Sequence, residues 1–268
     1  MGLPVFKSAG DPADPAVLLV HGYPASSHMW GPALRALAAH GLYAVAPDLP
    51  GYGDSAPGAA GTNTWTRHVE ALEALRQAEG LERVALVGHD WGGLIGLRWA
   101  CDHPDAVWAV VASDTGFFPD GRWHGMADAL RTPGQGEELV DGMTLEAFTG
   151  MLGSISKGIG PEHAREYFKA FADEPRRRGQ LELYRSGEFS ELEAYSHPPK
   201  LASLGVPFLA LWGEDDPFAP VAGAQRFARE VPGARVEVIP GTGHFVYEDA
   251  PETAAAALAT FLAESAPR

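Results

Sequence analysis

Apolar residues along the chain occur in short runs rich in Val, Leu and Ala, separated by longer amphipathic stretches. Short apolar runs are typical of parallel strands buried on both faces, and amphipathic stretches are typical of the helices that cover them. The pattern therefore predicts an α/β fold in which helices flank a mostly parallel central sheet. The six runs begin at Ala16, Leu42, Arg83, Ala106, Val206 and Ala234, and the clearest helical stretches begin at Met29, Trp65 and Pro251.

The strand rhythm stops between about Asp114 and Leu204, where the sequence becomes helical and irregular, with Gly, Pro and several aromatic residues. We interpret residues 115–204 as a helical cap inserted into a core domain of residues 1–114 and 205–268. One folding unit with a core and a cap fits a chain of 268 residues. Ligand sites of open sheets gather at the carboxyl ends of the strands, where polar residues follow the runs. Those residues are His21, Asp48, Asp90, Asp114, Asp215, Asp216 and His244.

Composition and charge narrow the class of partner. A formal net charge of −15 argues against nucleic acid and anionic membranes, because both attract cationic surfaces. No run approaches the roughly 18 to 20 apolar residues of a membrane span, and the first residues lack the features of a signal peptide, so we expect a cytoplasmic protein. The single cysteine, Cys101, agrees with a reducing compartment. We expect a small apolar or neutral organic substrate, and a monomer or small homo-oligomer.

The stretch GHDWG, residues 88–92, has the form G-x-D-x-G at a predicted strand-to-helix transition. A sharp turn here needs small neighbours and holds the central side chain above the sheet, as in the nucleophile elbow that usually carries serine. Alone, the stretch could equally be a glycine-rich turn in which Asp90 caps the next helix. An acid and a histidine, His244, follow later in the order that the elbow requires. The acid candidates are Asp216, Asp215 and Asp114.

These motifs resemble the α/β-hydrolase superfamily over nearly the whole chain, and specifically its branch of epoxide hydrolases and haloalkane dehalogenases. That branch carries HG-x-P, D-x-x-G-x-G-x-S and GHDWG, and this chain reads HGYP from His21, DLPGYGDS from Asp48 and GHDWGG from Gly88. The resemblance implies an α/β-hydrolase fold with a helical cap inserted after the sixth strand. It assigns the relay acid to Asp216 rather than Asp215, and Asp114 is the fallback because some dehalogenases carry their acid there.

An aspartate nucleophile suits attack on a saturated carbon. A carboxylate displaces a halide or opens an epoxide in one in-line step and leaves an alkyl ester on Asp90. His244, oriented by the acid, then activates the water that hydrolyses this ester. The resemblance assigns the oxyanion donors to the backbone N–H groups of Tyr23 and Trp91. No metal or organic cofactor is expected, because the chain shows neither metal-ligand spacing nor a phosphate loop.

The leaving group separates the two activities. In the resembling families, two cap tyrosines donate to an epoxide oxygen, whereas indole N–H groups and an Asn in the early loop bind a halide. Tyr23 stands where that Asn is expected, and Tyr184 in LELYRSGEF is the candidate ring-oxygen donor. The segment directly after Asp114, TGFFPDGRWHGMADAL, contains no tyrosine for the second donor, and Trp123 and His124 lie in it. His124 is a candidate second donor to an epoxide, and Trp123 is a candidate halide-binding indole beside Trp91.

The sequence therefore predicts an epoxide hydrolase first and a haloalkane dehalogenase second. A fluoroacetate-type dehalogenase ranks third, because Trp91 and Leu94 stand where arginines for the substrate carboxylate would be expected. A catalytically idle binding protein or receptor of the same fold is the non-enzyme alternative. An intact set of Asp90, His244 and Asp216 argues against it, because a binder has no use for a base.

Overall fold

A seven-stranded sheet runs through the protein in the computed structural model, which describes residues 2–197 and 199–267. The strands are β1 (Phe6–Ala9), β2 (Ala16–Val20), β3 (Tyr43–Pro47), β4 (Val84–His89), β5 (Val107–Ser113), β6 (Phe208–Gly213) and β7 (Arg235–Ile239). Their order is β1-β3-β2-β4-β5-β6-β7, with β1 antiparallel to β3 and all other pairs parallel. Each of the six apolar runs forms one of the parallel strands, which confirms the predicted sheet.

Helices cover this sheet and fill the long gap between β5 and β6. They are α1 (Gly31–Ala39), α2 (Trp65–Ala78), α3 (Trp91–Asp102), α4 (Gly125–Arg131), α5 (Gln135–Asp141), α6 (Leu145–Ile155), α7 (Pro161–Tyr167), α8 (Glu174–Ser186), α9 (Glu193–Ser196), α10 (Lys200–Ser203), α11 (Ala222–Glu230), α12 (Val246–Asp249) and α13 (Pro251–Ser265). Short 3₁₀ segments span Ser27–Trp30, Pro104–Ala106, Phe168–Phe171 and Phe189–Leu192. Among the described residues, no helix is long and apolar enough to cross a membrane.

The centre of the sheet is the core of the molecule. Strands β2, β4 and β5 are buried along their whole length, which requires helices on both faces. Helix α1 packs against α13, and α2 packs against α3, which also contacts β4. This packing fixes the carboxyl ends of the central strands, where the candidate residues lie.

The helical insertion, residues 115–204, follows the fifth strand and not the sixth that the family resemblance implies. The reason is that a single antiparallel strand, β1, precedes β2 among the described residues. The described part of the insertion contains helices and no strand. Division of the chain into core and cap at these bounds stays a prediction, and its members Met1, Pro198 and Arg268 lie outside the described residues.

Candidate active site

Asp90 lies between β4 and α3 with a φ of 52°, a left-handed conformation that non-glycine residues rarely adopt. The turn is possible because its neighbours lack side chains. A Cβ on Gly92 would lie 2.1 Å from the Val20 carbonyl oxygen, and one on Gly22 would lie 2.4 Å from the Asp90 carboxylate. The Asp90 side chain makes no capping hydrogen bond to α3, so the interpretation of this stretch as an ordinary helix cap is wrong.

Three side chains from three different loops form a continuous chain at this point. His244 lies in the loop after β7, and its Nδ1 is 2.8 Å from Asp216 Oδ2. Its Nε2 is 3.5 Å from Asp90 Oδ2. Asp216, in the loop after β6, is held in turn by the backbone N–H groups of Phe218 and Ala219, at 2.7 and 3.0 Å from Oδ1. The arrangement is that of a nucleophile, a base and the acid that orients the base.

The two other acid candidates lie apart from the imidazole. Asp215 is exposed. Asp114 is fully buried at the end of β5, and its Oδ1 accepts the Gly213 N–H at 2.9 Å. The structure therefore brings Asp216 to His244, as the family resemblance implies, and leaves Asp114 beside the pair without a hydrogen bond to His244.

The charges of the three groups support one another. Burial alone lowers the pKa of His244, but the carboxylates of Asp216 and Asp90 outweigh it and hold this pKa well above its ordinary value. Burial alone raises the pKa values of Asp90 and Asp216, but His244 outweighs it and lowers both. The resting site therefore holds two carboxylates around an imidazolium.

Backbone donors hold one oxygen of Asp90. The Tyr23 N–H donates to Oδ1 at 2.6 Å, and the Trp91 N–H helps to lower the pKa of the carboxyl group. These are the two predicted oxyanion donors, and the structure brings both to the carboxylate. The other carboxylate oxygen, Oδ2, lies on the side of His244 Nε2.

Two buried histidines next to the site form hydrogen bonds with backbone groups, which gives them a structural role. His21 Nε2 accepts the Leu49 N–H at 2.9 Å, so Nδ1 carries the proton and donates to the Gly22 carbonyl oxygen at 2.8 Å. His89 Nε2 lies 2.8 Å from the carbonyl oxygen of His244. Burial lowers the pKa of His21, and it lowers that of His89 to about 4, so both rings are neutral at pH 7.

A cavity of about 250 Å³ opens above Asp90 between the sheet and the helical insertion. The indole rings of Trp91 and Trp123 stack beside it, with centroids 5.3 Å apart and planes inclined by 24°. Both Nε1 atoms are buried and have no acceptor among the described residues. The lining includes Asp90, Trp91, Leu94, Trp123, His124, Tyr184 and His244.

Tyr184 and His124, the two predicted ring-oxygen donors, also line this cavity. The Tyr184 ring meets that of Trp91 edge-on, with centroids 5.2 Å apart, and its hydroxyl lies near the Trp91 indole N–H without good hydrogen-bonding geometry. His124 Nδ1 accepts the Ala127 N–H at 3.4 Å at the start of α4, which leaves Nε2 as its donor. Burial and the Asp90 carboxylate raise the pKa of Tyr184, whereas burial lowers that of His124.

Sequence reasoning missed Arg131, which holds the two aromatic donors in place. Its guanidinium carbon lies 5.2 Å from the centroid of the Trp123 ring. Its Nη1 donates to the carbonyl oxygens of Tyr184 and Gly187, the latter at 2.5 Å. These partners are 53 and 56 residues further along the chain, so no local spacing could have indicated them.

The family model for the α/β-hydrolase fold matches residues 15–251. The chain belongs to the α/β-hydrolase family. It is 30% identical to a haloalkane dehalogenase of Psychrobacter cryohalolentis over 93% of this chain and 84% of the relative. It is also 30% identical to a fluoroacetate dehalogenase of a Burkholderia species, over 94% of this chain and 88% of the relative.

The solved structures similar to this chain include a haloalkane dehalogenase and an epoxide hydrolase. A haloalkane dehalogenase of Bradyrhizobium elkani superposes with a TM-score of 0.83 at 25% identity, covering 97% of this chain and 93% of that one. Epoxide hydrolase A of Mycobacterium thermoresistibile gives a TM-score of 0.78 at 26% identity, covering 96% and 93%. The comparisons confirm the superfamily and branch that the motifs indicate, and the protein is a hydrolase of the α/β fold.

Proposed function

We propose that this hydrolase is a haloalkane dehalogenase, which converts an alkyl halide and water to an alcohol, a halide ion and a proton. The observation that carries the proposal is the pair of buried indole N–H groups of Trp91 and Trp123 beside the Asp90 carboxylate. A buried donor without an acceptor is costly, so such groups are commonly kept for a ligand. This observation reverses the order of preference that the sequence alone predicts.

The proton supply of the site also favours a halide. An opening epoxide develops a strongly basic alkoxide and needs an acidic donor, whereas a halide ion is a weak base and needs only N–H or O–H dipoles. Tyr184 stays neutral in the resting site because burial and the Asp90 carboxylate raise its pKa. His124 is also neutral at pH 7 because burial lowers its pKa. Both groups are therefore neutral hydrogen-bond donors, which is sufficient for a halide ion.

The proposed reaction has two steps. Asp90 Oδ1 is held by the Tyr23 N–H, so Oδ2 attacks the carbon, the carbon–halogen bond breaks, and the halide leaves toward the indole N–H groups. Formation of the ester removes the negative charge of Asp90, so the pKa of His244 falls and the imidazolium releases its proton to solvent. Water then adds to the carboxyl carbon of the ester while the neutral His244 Nε2 accepts its proton. The Tyr23 and Trp91 N–H groups stabilise the oxyanion, the alcohol leaves with a proton, and the carboxylate is restored.

Epoxide hydrolysis is the second candidate, and the Tyr184 hydroxyl favours it. This O–H lies in the same cavity as Asp90, close to the Trp91 indole, and is the only tyrosine hydroxyl that the described cavity lining supplies. One donor is fewer than the two tyrosines of the resembling epoxide hydrolases, and His124 Nε2 would have to serve as the other.

A haloacid substrate fits the site less well. Trp91 and Leu94, which occupy the positions expected for carboxylate-binding arginines, are both buried apolar residues of the cavity wall. Arg226 and Arg122 also line the cavity, but the Arg226 guanidinium is paired with Asp120 and Glu230, and Arg122 is exposed. We therefore assign a neutral alkyl halide as the substrate class.

The deciding experiment scores two substrates in parallel: 1-bromobutane for bromide release and styrene oxide for diol. We expect bromide release that exceeds diol formation. Diol without bromide would overturn the proposal in favour of the second candidate.

A His244→Gln variant incubated with 1-bromobutane supplies the mechanistic half of the same experiment. Without the base, the butyl ester on Asp90 should accumulate, and intact-protein mass spectrometry should show one butyl adduct per chain. Asp90→Asn is the matched control and should show none. A different result would favour the binding-protein alternative: with both substrates, the wild type releases no product and the His244→Gln variant forms no adduct.

A further inference from the structure

Asp114 is a buried carboxyl group that the proposed mechanism does not use. It follows β5 directly, is fully buried, and has a φ of 46°. Its Oδ1 accepts the Gly213 N–H at 2.9 Å, from the end of the neighbouring strand β6. Its Oδ2 is buried and accepts no hydrogen bond from a donor among the described residues. A left-handed backbone and a half-satisfied carboxyl are both unfavourable, so their coincidence calls for a function.

The surroundings of Asp114 do not suit a second negative charge. The titratable groups that face it are Asp216, His244 and Tyr247, and no described lysine or arginine forms an ion pair with it. The Asp216 carboxyl lies close enough to Asp114 to share a proton. Two adjacent buried carboxyl groups with one cation between them cannot both ionise cheaply.

The hydrogen bonds decide which of the two keeps the proton. Asp216 accepts from three donors, namely His244 Nδ1 and the Phe218 and Ala219 N–H groups. Asp114 accepts from one donor, the Gly213 N–H. Donors stabilise the ionised form, so Asp216 is the carboxylate and Asp114 the acid.

We propose that Asp114 is protonated and donates its Oδ2–H to Asp216, and that it thereby acts as a positioning residue for the acid that orients His244. The donated hydrogen bond fixes the Asp216 carboxylate and limits its basicity, while leaving the charge of the His244–Asp216 pair unchanged. In agreement, burial and the Asp216 carboxylate hold the pKa of Asp114 well above its usual range. The inference rests on the proposed function only in that His244 is the base.

The substitution Asp114→Asn distinguishes a neutral Asp114 from an ionised one. Asp114→Asn preserves a neutral donor of the same shape, and asparagine tolerates the left-handed backbone. If Asp114 is neutral in the wild type, this variant should leave the pKa of His244 nearly unchanged. If Asp114 is instead ionised, removal of its charge should lower that pKa by roughly 1 to 3 units, the usual effect of one close charge.

The test uses resting protein without substrate. Infrared difference spectra of wild type minus Asp114→Asn, recorded at pH 8, should contain the C=O band of a protonated carboxylic acid. NMR titration of the His244 ring, assigned with His244→Gln, should give the same pKa in wild type and Asp114→Asn and a higher one in Asp114→Ala, because Asp216 loses its donor there. Absence of the band, or a lowered pKa in Asp114→Asn, overturns the inference.

Neither measurement involves turnover, so the two proposals fail separately. A protein with the infrared band that hydrolyses neither substrate would contradict the proposed function and keep the assignment of Asp114. The infrared band of the wild type also does not depend on how well Asp114→Ala folds. In an active enzyme, Asp114→Asn should show a pH profile of ester hydrolysis like that of the wild type.

Discussion

At the scale of residues, the hydrogen-bond donors around the cavity are the basis of the proposed leaving group. Trp91 directly follows the nucleophile, whereas Trp123 comes from the helical insertion and stacks on it. Indole N–H groups donate hydrogen bonds but do not transfer their protons to a leaving group, so they suit a leaving group that departs as a stable anion. Tyr184 completes the group with a hydroxyl that serves either reaction.

Replacement of Trp123 by Phe tests the indole donor with little loss of ring packing. A hydrogen bond to a charged group contributes about 1.5 to 3 kcal/mol, so kcat/KM for bromide release should fall roughly 10- to 150-fold. Bromide release from 1-bromobutane measures the effect. Trp65→Phe is the matched control, because its indole nitrogen is equally buried and unpartnered but does not line the described cavity. Equal losses in the two variants would refute the assigned role of Trp123.

At the scale of elements, α12 connects the helical insertion to the loop that carries His244. Asp249, the last residue of α12, accepts the Lys157 and Gly158 N–H groups at 2.8 and 3.1 Å through Oδ1. Its Oδ2 accepts the Gly243 N–H at 2.8 Å. One carboxylate therefore fixes both the residue before the base and a turn of the insertion.

We expect Asp249→Ala to weaken this connection. Loss of charge-assisted hydrogen bonds should lower the free energy of unfolding by roughly 1.5 to 3 kcal/mol, measured by urea denaturation. Because the Gly243–His244 loop loosens, ester hydrolysis should slow more than ester formation, so the butyl ester should accumulate during turnover. Glu252→Ala, an exposed change in the first turn of α13, is the control: it should lower the free energy of unfolding by only about 0.3 to 1 kcal/mol and leave ester hydrolysis unchanged. A purely destabilising effect without ester accumulation would limit Asp249 to a structural role.

The sequence predicts elements well where burial dictates composition. The parallel strands from β2 to β6 are almost wholly apolar, because strands covered on both faces tolerate little else. The edge strand β7 differs, since it contains Arg235 and Glu237 and is largely exposed. The edge strand β1 was missed, since Phe6–Ala9 is short and half polar. Helix bounds in the insertion were also beyond the sequence, because several of its helices have only four to seven residues.

The sequence predicts some residues of the site and not others, depending on whether their positions leave a local pattern in the chain. The elbow motif and the order along the chain are enough to find Asp90 and His244, because each follows a strand whose carboxyl end is fixed by the fold. The same order leaves three candidates for the acid, and the family resemblance is what favours Asp216. The stacking of Trp123 on Trp91 and the contact of Arg131 with Trp123 join distant segments and leave no local pattern in the sequence. The observations behind the proposed leaving group therefore came only with the structure.

At the scale of the whole molecule, the protein has a net charge of −15, and the wall of its cavity includes six Phe, Trp and Tyr side chains. The field of such a protein repels anions and leaves neutral molecules unaffected, and salt screens it over about 8 to 10 Å at physiological ionic strength. Charge thus adds to the specificity that Leu94 and Trp91 impose locally.

A pair of substrates that differ by one carboxylate tests this effect. 4-Bromobutanoate should be hydrolysed with a lower kcat/KM than 1-bromobutane at low salt, and its rate should rise with added sodium sulfate as screening increases. The rate with 1-bromobutane should stay constant over the same range and serves as the internal control. A faster reaction with the anion at low salt would instead indicate a cationic subsite for carboxylates.

The 3.5 Å separation between His244 Nε2 and Asp90 Oδ2 also sets the timing of the proposed cycle. In the resting enzyme the carboxylates of Asp216 and Asp90 together keep the imidazole protonated, so no base activates water before the substrate arrives. Alkylation converts the Asp90 carboxylate into a neutral ester, and the imidazole becomes more acidic and releases its proton to solvent. In the proposed cycle, the alkylation step thus produces the neutral imidazole that the hydrolysis step needs as its base, and only a proton has to move.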